Sequence, residues 1–82
     1  MQEKMAEGIG HYENILAEIY EKIRDHHPLS LDEKLDFYLA SYRINLIKYD
    51  VERDPELRFH FIIQASRDYR KVRKFEEKLG LN

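Results

Sequence analysis

The sequence predicts an all-α protein, an antiparallel three-helix bundle in a single domain (residues 1–82) that assembles into a helical homo-oligomer. Charged residues make up 37% of the chain, with only three glycines and two prolines. This composition is typical of helices linked by salt bridges. Apolar residues recur at spacings of three and four, which is the helical period. Two proline-containing breaks divide the pattern into three segments, and such short connections favour antiparallel neighbours.

The first segment predicts a helix over about residues 3–25. Gly8 and Gly10 lie within it, and each costs about 1 kcal/mol inside a helix, so the pattern also allows a later start, at Ile9 or near His11. Pro28 ends the segment, because the residue before a proline is disfavoured in the helical region. The helix has a single apolar face, formed by Met5, Ile9, Tyr12, Leu16, Ile19 and Ile23.

The second segment predicts a helix over 31–52. Ser30 and Glu33 have the spacing of a capping box, in which each side chain binds the other residue's backbone N–H. This helix carries apolar residues on two opposite sides. The first stripe is Leu35, Leu39, Tyr42, Leu46 and Tyr49, and the second stripe is Phe37, Ala40, Ile44, Ile47 and Val51.

Opposite apolar stripes require a partner on each side of the helix, either two helices of the same chain or one from a neighbouring chain. An 82-residue chain also buries a smaller fraction of its surface on folding than a larger domain does, so self-association would add stability. We therefore expect the other helices to cover the first stripe. The predicted oligomer interface comprises the second stripe and an outer pair from the third helix: Phe37, Ala40, Ile44, Ile47, Val51, Phe59 and Ile63.

The third segment predicts a helix over 55–79. Asp54 is suited to the N-cap and Pro55 to the first helical position. Gly80 follows the last turn and accepts the left-handed backbone common at helix C-termini. Phe59 and Ile63 lie four residues apart on the side away from the apolar stripe of this helix, which is why they join the predicted interface.

The net charge of −2 conceals an asymmetry along the chain. Residues 1–27 carry −3, residues 28–54 carry −2 and residues 55–82 carry +3. Basic residues of the third helix project from one side of it, where they could contact DNA phosphates. The alternative is a solvated helix face with no ligand. This basic ridge, our candidate nucleic-acid contact, is Arg67, Arg70, Lys71, Lys74 and Lys78.

Catalytic and metal-binding patterns are weak, and we expect no enzyme activity, no cofactor and no metal. The chain has no cysteine, and its four histidines lack the spacing that places two ligands on one helical face. Arg53 and His60 fit the loose Arg-spacer-His pattern of HEPN-type ribonucleases, but Pro55 begins a new helix between them.

The order of several signals resembles one family. Tyr12 lies in the first helix, Leu31-Asp32 opens the second, Tyr38 follows, and the charged last helix closes on Glu77-Lys78-Leu79-Gly80-Leu81. Over residues 12–81 this pattern resembles the small-subunit terminases of tailed phages, in the branch whose last helix ends on Leu-Gly-Leu. The resemblance implies an oligomer that recognises viral DNA and regulates the large terminase motor.

Two functional hypotheses follow. The first is a non-catalytic oligomeric protein that binds duplex DNA and a larger protein partner, as the resemblance implies. The second is a small helical protein-interaction module, such as an inhibitor, immunity protein or assembly factor, without nucleic-acid binding. No apolar run approaches the roughly 18 residues that span a bilayer, so for both hypotheses we expect a cytoplasmic protein without a membrane partner.

Overall fold

Three helices make up the fold. The computed structural model describes the backbone of residues 2–81 and the side chains of residues 8–81. The helices are α1 (Gln2–Arg24), α2 (Leu31–Val51) and α3 (Pro55–Leu79), and no strand occurs in residues 2–81. The all-α prediction is confirmed. α1 continues through both of its glycines, and Met5 of its predicted stripe lies outside the described side chains.

The predicted capping chemistry is present at the starts of α2 and α3. Ser30 Oγ accepts from the N–H of Glu33, and Glu33 Oε1 accepts from the N–H of Ser30, both at 3.1 Å, which completes the capping box. Asp54 Oδ1 accepts from the N–H of Glu56 at 2.9 Å. Each bond satisfies an amide that the first helical turn leaves without a carbonyl partner.

Two helices end with the same hydrogen-bond motif. After α3, Gly80 takes a φ of 73° and the N–H of Leu81 donates to the carbonyl of Glu76. After α1, His26 takes the left-handed position with a φ of 60°, and the N–H of His27 donates to the carbonyl of Lys22. Both are Schellman ends, but at α1 a histidine occupies the position that usually belongs to glycine.

α1 packs on the second stripe of α2. The ring of Tyr20 meets Phe37 edge-on, with centroids 5.6 Å apart. Ile47 approaches Gly8 so closely that a Cβ built there would lie 3.8 Å from the isoleucine Cδ1. Beyond Phe37, an ion pair between Lys22 and Glu33 joins the same faces of the two helices. α1 thus covers much of the second stripe within the chain, contrary to our expectation, whereas Val51 at the end of the stripe stays exposed.

α3 packs on a third side of α2, between the two stripes. Tyr38 stacks on Phe75 with ring centroids 5.7 Å apart, and Tyr42 meets Tyr69 at 5.5 Å. Tyr49 also contacts α3, because Arg58 lies over its ring. Tyr42 and Tyr49 belong to the first stripe, so α3 covers one edge of that stripe and leaves the rest half-buried.

The three helices form an open row with α2 in the centre. No Cα of α1 lies within 8 Å of a Cα of α3 in the part of the chain that the structure describes. The radius of gyration is 13.7 Å, against about 12 Å for a compact chain of this length. The compact antiparallel bundle predicted from the sequence is therefore not confirmed. Because α2 is apolar on several sides, α1 and α3 both dock on it, and their backbones stay apart.

The core is small and the accessible surface large. Among the side chains of residues 8–81, five apolar ones are buried: Ile19, Ala40, Ile44, Ala65 and Val72. The accessible surface is 6351 Å², about a fifth more than the roughly 5,200 Å² of a compact monomer of this mass. None of the helices, over the residues described, is long and apolar enough to cross a membrane.

Candidate functional site

The basic ridge lies on the outer side of α3, opposite the side that contacts α2. All five of its side chains, Arg67, Arg70, Lys71, Lys74 and Lys78, are exposed. Within residues 8–81, none of them forms an ion pair with a carboxylate. The Lys78 ammonium lies 5.5 Å from the centroid of the Phe75 ring, at the C-terminal end of α3. The ridge is thus a row of cations whose ammonium and guanidinium groups face solvent.

Asp68 faces inward, away from the ridge, whereas the exposed Glu77 lies three residues after Lys74. Asp68 lies three residues before Lys71, a spacing at which helical side chains of opposite charge can pair. Instead, its Oδ2 accepts from Ser41 Oγ at 2.6 Å and from Asn45 Nδ2 at 3.1 Å. These partners lie on α2, so the carboxylate of Asp68 accepts hydrogen bonds between the two helices and does not neutralise the ridge.

Sequence reasoning missed this polar cluster of Ser41, Asn45 and Asp68. A signal was available, because Asp68 lies seven residues from both Phe61 and Phe75 and so shares the helix face of two apolar rings. An acid in such a position needs a hydrogen-bond partner when the helix packs.

The α1 side of the molecule carries an acidic groove between α1 and the start of α2. Its walls include Glu18, Glu21, Asp25 and Glu33. Lys22 donates to Glu33, and this hydrogen bond is the main reason that the pKa of Glu33 lies below its usual value. The molecule is therefore bipolar, with carboxylates beside α1 and cations on α3.

The residues of the predicted oligomer interface differ widely in their exposure in the structure. Ala40 and Ile44 are only 1% and 7% exposed, so in this conformation of the single chain they offer no surface to a second copy. Phe37, Ile47 and Ile63 are half-buried. Val51 and Phe59 remain 55% and 66% exposed. The first pair is buried because α1 docks on the stripe that we assigned to a partner, and the interface itself stays a prediction.

The apolar surface that stays open instead runs along the junction of α2 and α3. One groove of about 430 Å³ has Tyr42 and Leu46 on one wall and Tyr69 on the other. A second, of about 270 Å³, lies between Tyr49 and Phe59. Ile62 lines both grooves, which are therefore neighbours on one face.

The residues of the metal-binding and ribonuclease patterns are not brought together in the described part of the chain. Across the residues that the structure describes, no group of three or more histidine, cysteine, aspartate or glutamate side chains is arranged to hold a metal ion. Arg53 lies in the break between α2 and α3, whereas His60 lies inside α3, and both are exposed. The two residues do not share one continuous helix, as the position of Pro55 indicates.

Comparison with protein-family models, with curated proteins and with solved structures found no match.

Proposed function

We propose that this chain is a non-catalytic, self-associating helical protein that contacts duplex DNA through its basic ridge, a role of the kind held by phage terminase small subunits. The observation that carries the proposal is the ridge itself: five exposed cations on one side of α3, none of which forms an ion pair with a carboxylate among the described residues. In a chain whose net charge is −2, this segregation of positive charge is suited to a phosphate backbone.

The inward orientation of Asp68 supports the proposal. A solvated helix face gains from mixed charges at spacings of three and four, and Asp68 has the position to provide one. Its bonds to Ser41 and Asn45 remove it from the ridge, which keeps an excess of positive charge even with the exposed Glu77 beside it, and this excess favours an anionic ligand over simple solvation.

Self-association rests on the surface that a single chain leaves open. The excess accessible area amounts to roughly 1,100 Å², which exceeds the roughly 800 Å² that each partner contributes to a standard interface. Val51 and Phe59 are the predicted interface residues that stay exposed. We propose that a second copy contacts them at the α2–α3 turn.

The alternative function, a protein-interaction module without nucleic-acid binding, is favoured by one specific observation. Phe59 is 66% exposed and lines an open groove with Tyr49 and Ile62, and contiguous exposed apolar surface of this kind marks protein contacts. In this alternative the ridge has no ligand and serves only to keep the surface hydrated.

Duplex binding measured against salt concentration separates the two functions. We expect the affinity of wild type to fall steeply between low and moderate salt, because each neutralised phosphate releases counterions. Replacing Lys71 and Lys74 together by glutamate should abolish binding. Lys34→Glu is a matched control, since Lys34 is an exposed cation of α2, outside the ridge and outside both α2–α3 grooves. Absence of duplex binding at low salt, or an unchanged affinity of the double variant, would refute the DNA proposal.

A further inference from the structure

The α2–α3 face combines aromatic rings with guanidinium groups along its whole length. Tyr42 and Tyr69 meet at 5.5 Å in a tilted arrangement across the larger groove. Tyr49 lines the adjacent groove, two helical turns along α2 from Tyr42. Tyr69 is 44% exposed, which is high for a tyrosine whose ring also contacts a neighbouring helix.

An arginine accompanies each of these rings. The guanidinium carbon of Arg43 lies 5.9 Å from the centroid of Tyr42, and that of Arg73 lies 5.9 Å from the centroid of Tyr69. Arg73 Nη1 also donates to the Tyr69 hydroxyl at 3.3 Å.

Tyr49 has the closest partner, because Arg58 lies 4.6 Å from its ring and Arg58 Nε donates to the Tyr49 carbonyl at 3.2 Å. The aromatic positions are thus held next to fixed positive charges.

The charge of this face differs from that of the rest of the molecule. No carboxylate lines either groove, whereas Arg70 lines the larger one and Arg58 the smaller one. By contrast, the groove between α1 and α2 has four carboxylates in its walls. Arg70 also belongs to the basic ridge, so the aromatic face and the ridge meet at this residue.

We propose that the larger groove of the α2–α3 face, which does not include Phe59, binds single-stranded nucleic acid, with bases stacking on Tyr69 and Tyr42 and phosphates contacting Arg70 and Arg73. Proteins that bind single strands without reading sequence combine a positive groove with aromatic rings on which bases stack. A duplex keeps its bases stacked on one another and presents mainly phosphates. The tyrosines therefore indicate a ligand with unstacked bases, which phosphate contacts at the ridge alone do not explain.

This inference deepens the proposed DNA contact, on which it rests, but its test uses a different ligand. We would measure fluorescence anisotropy with a labelled oligo-dT strand of about ten nucleotides, within the site size of small single-strand binders, and with an abasic strand of equal length. The folded wild-type protein should bind oligo-dT more tightly than the abasic strand. Oligo-dT, but not the abasic strand, should also quench the intrinsic tyrosine emission.

Variants of Tyr69 test the role of the ring. Tyr69→Leu should weaken oligo-dT binding about tenfold, the loss expected for one stacked base, and should leave duplex binding unchanged. Tyr69→Phe keeps the ring and should bind like wild type. Tyr20→Leu is the control, because Tyr20 is a 56% exposed tyrosine on α1, outside the face. Circular dichroism of each variant checks that the helices remain formed.

The possible outcomes separate this inference from the proposed function. Equal affinity for oligo-dT and abasic strands, with duplex binding intact, overturns the stacking face and leaves the ridge proposal standing. Base-dependent binding that Tyr69→Leu removes, without any duplex binding, supports the stacking face and refutes the duplex proposal. An oligomer of wild type that Tyr69→Leu dissociates would place a second copy on the face and overturn the inference.

Discussion

Replacing Asp68 by alanine should destabilise the fold through the loss of two hydrogen bonds. Asp68 accepts from Ser41 at 2.6 Å and from Asn45 at 3.1 Å across the α2–α3 interface. A hydrogen bond to a charged acceptor contributes about 1.5–3 kcal/mol. All three residues are only half-buried, so water recovers part of this energy in the variant. We therefore expect a total loss of about 2 kcal/mol.

The loss is large for a small domain. In a chain of this size, 1 kcal/mol corresponds to about 4–8 °C in Tm, so Asp68→Ala should lower Tm by roughly 8–16 °C. Urea unfolding followed by circular dichroism measures the free energy directly, and an unchanged m-value would show that the same surface is still exposed on unfolding.

Controls distinguish the bonds from a general effect of charge. Asp68→Asn keeps one carbonyl acceptor and should lose about half as much stability. Glu77→Ala removes an exposed carboxylate of the same helix and should change the free energy of unfolding by less than about 0.5 kcal/mol. If Asp68→Ala costs no more than Glu77→Ala, the two bonds do not stabilise the interface and our reasoning is wrong.

Three further predictions concern local features. His26→Gly should stabilise the protein by about 0.5–1 kcal/mol in urea unfolding, because the left-handed φ of 60° costs histidine more than glycine; a loss of stability would contradict this. Asp54→Ala should cost about 1 kcal/mol whereas Pro55→Ala should cost little, an order that the same assay checks. Lys22→Met should raise the pKa of Glu33 in an NMR carboxyl titration. Because the pKa of Glu33 is depressed in the folded protein, Glu33 stabilises the fold above its unfolded pKa of about 4.3. This stability is lost as the pH falls through the folded pKa, and the loss should be smaller in the Lys22→Met variant.

The helices could be predicted from the sequence because their signals are local. Ser30 with Glu33, and Asp54 with Pro55, satisfy backbone groups a few residues away, and no distant contact is needed for that. The left-handed backbone at His26 was missed, since residues other than glycine can also adopt it at a cost in conformational free energy. The sequence signalled only that the helix ends before Pro28.

The arrangement of the helices could not be predicted in the same way. α2 is apolar on several sides, so periodicity indicates that it has neighbours but not which neighbour takes which side. The choice depends on fit, such as the close approach of Ile47 to Gly8 and the burial of Ala40 to 1% exposure. Of the candidate site, the ridge could be found from helical spacing alone, whereas the orientation of Asp68 required its partners on α2.

The single-sided attachment of α1 has a consequence for how the protein opens. In the described structure no Cα of α1 lies within 8 Å of a Cα of α3, although Ile23 of α1 and Phe75 of α3 line one groove. α1 can therefore unfold locally while the hydrogen bonds between α2 and α3 remain. Amides of α1 should then lose hydrogen-exchange protection at a lower free energy than those of α2 and α3. When α1 detaches, Ala40 and Ile44 lose their cover, and α1 of a second copy can take the vacant place. Exchange of α1 between chains is thus a route by which this protein could self-associate through the very stripe that its closed form conceals.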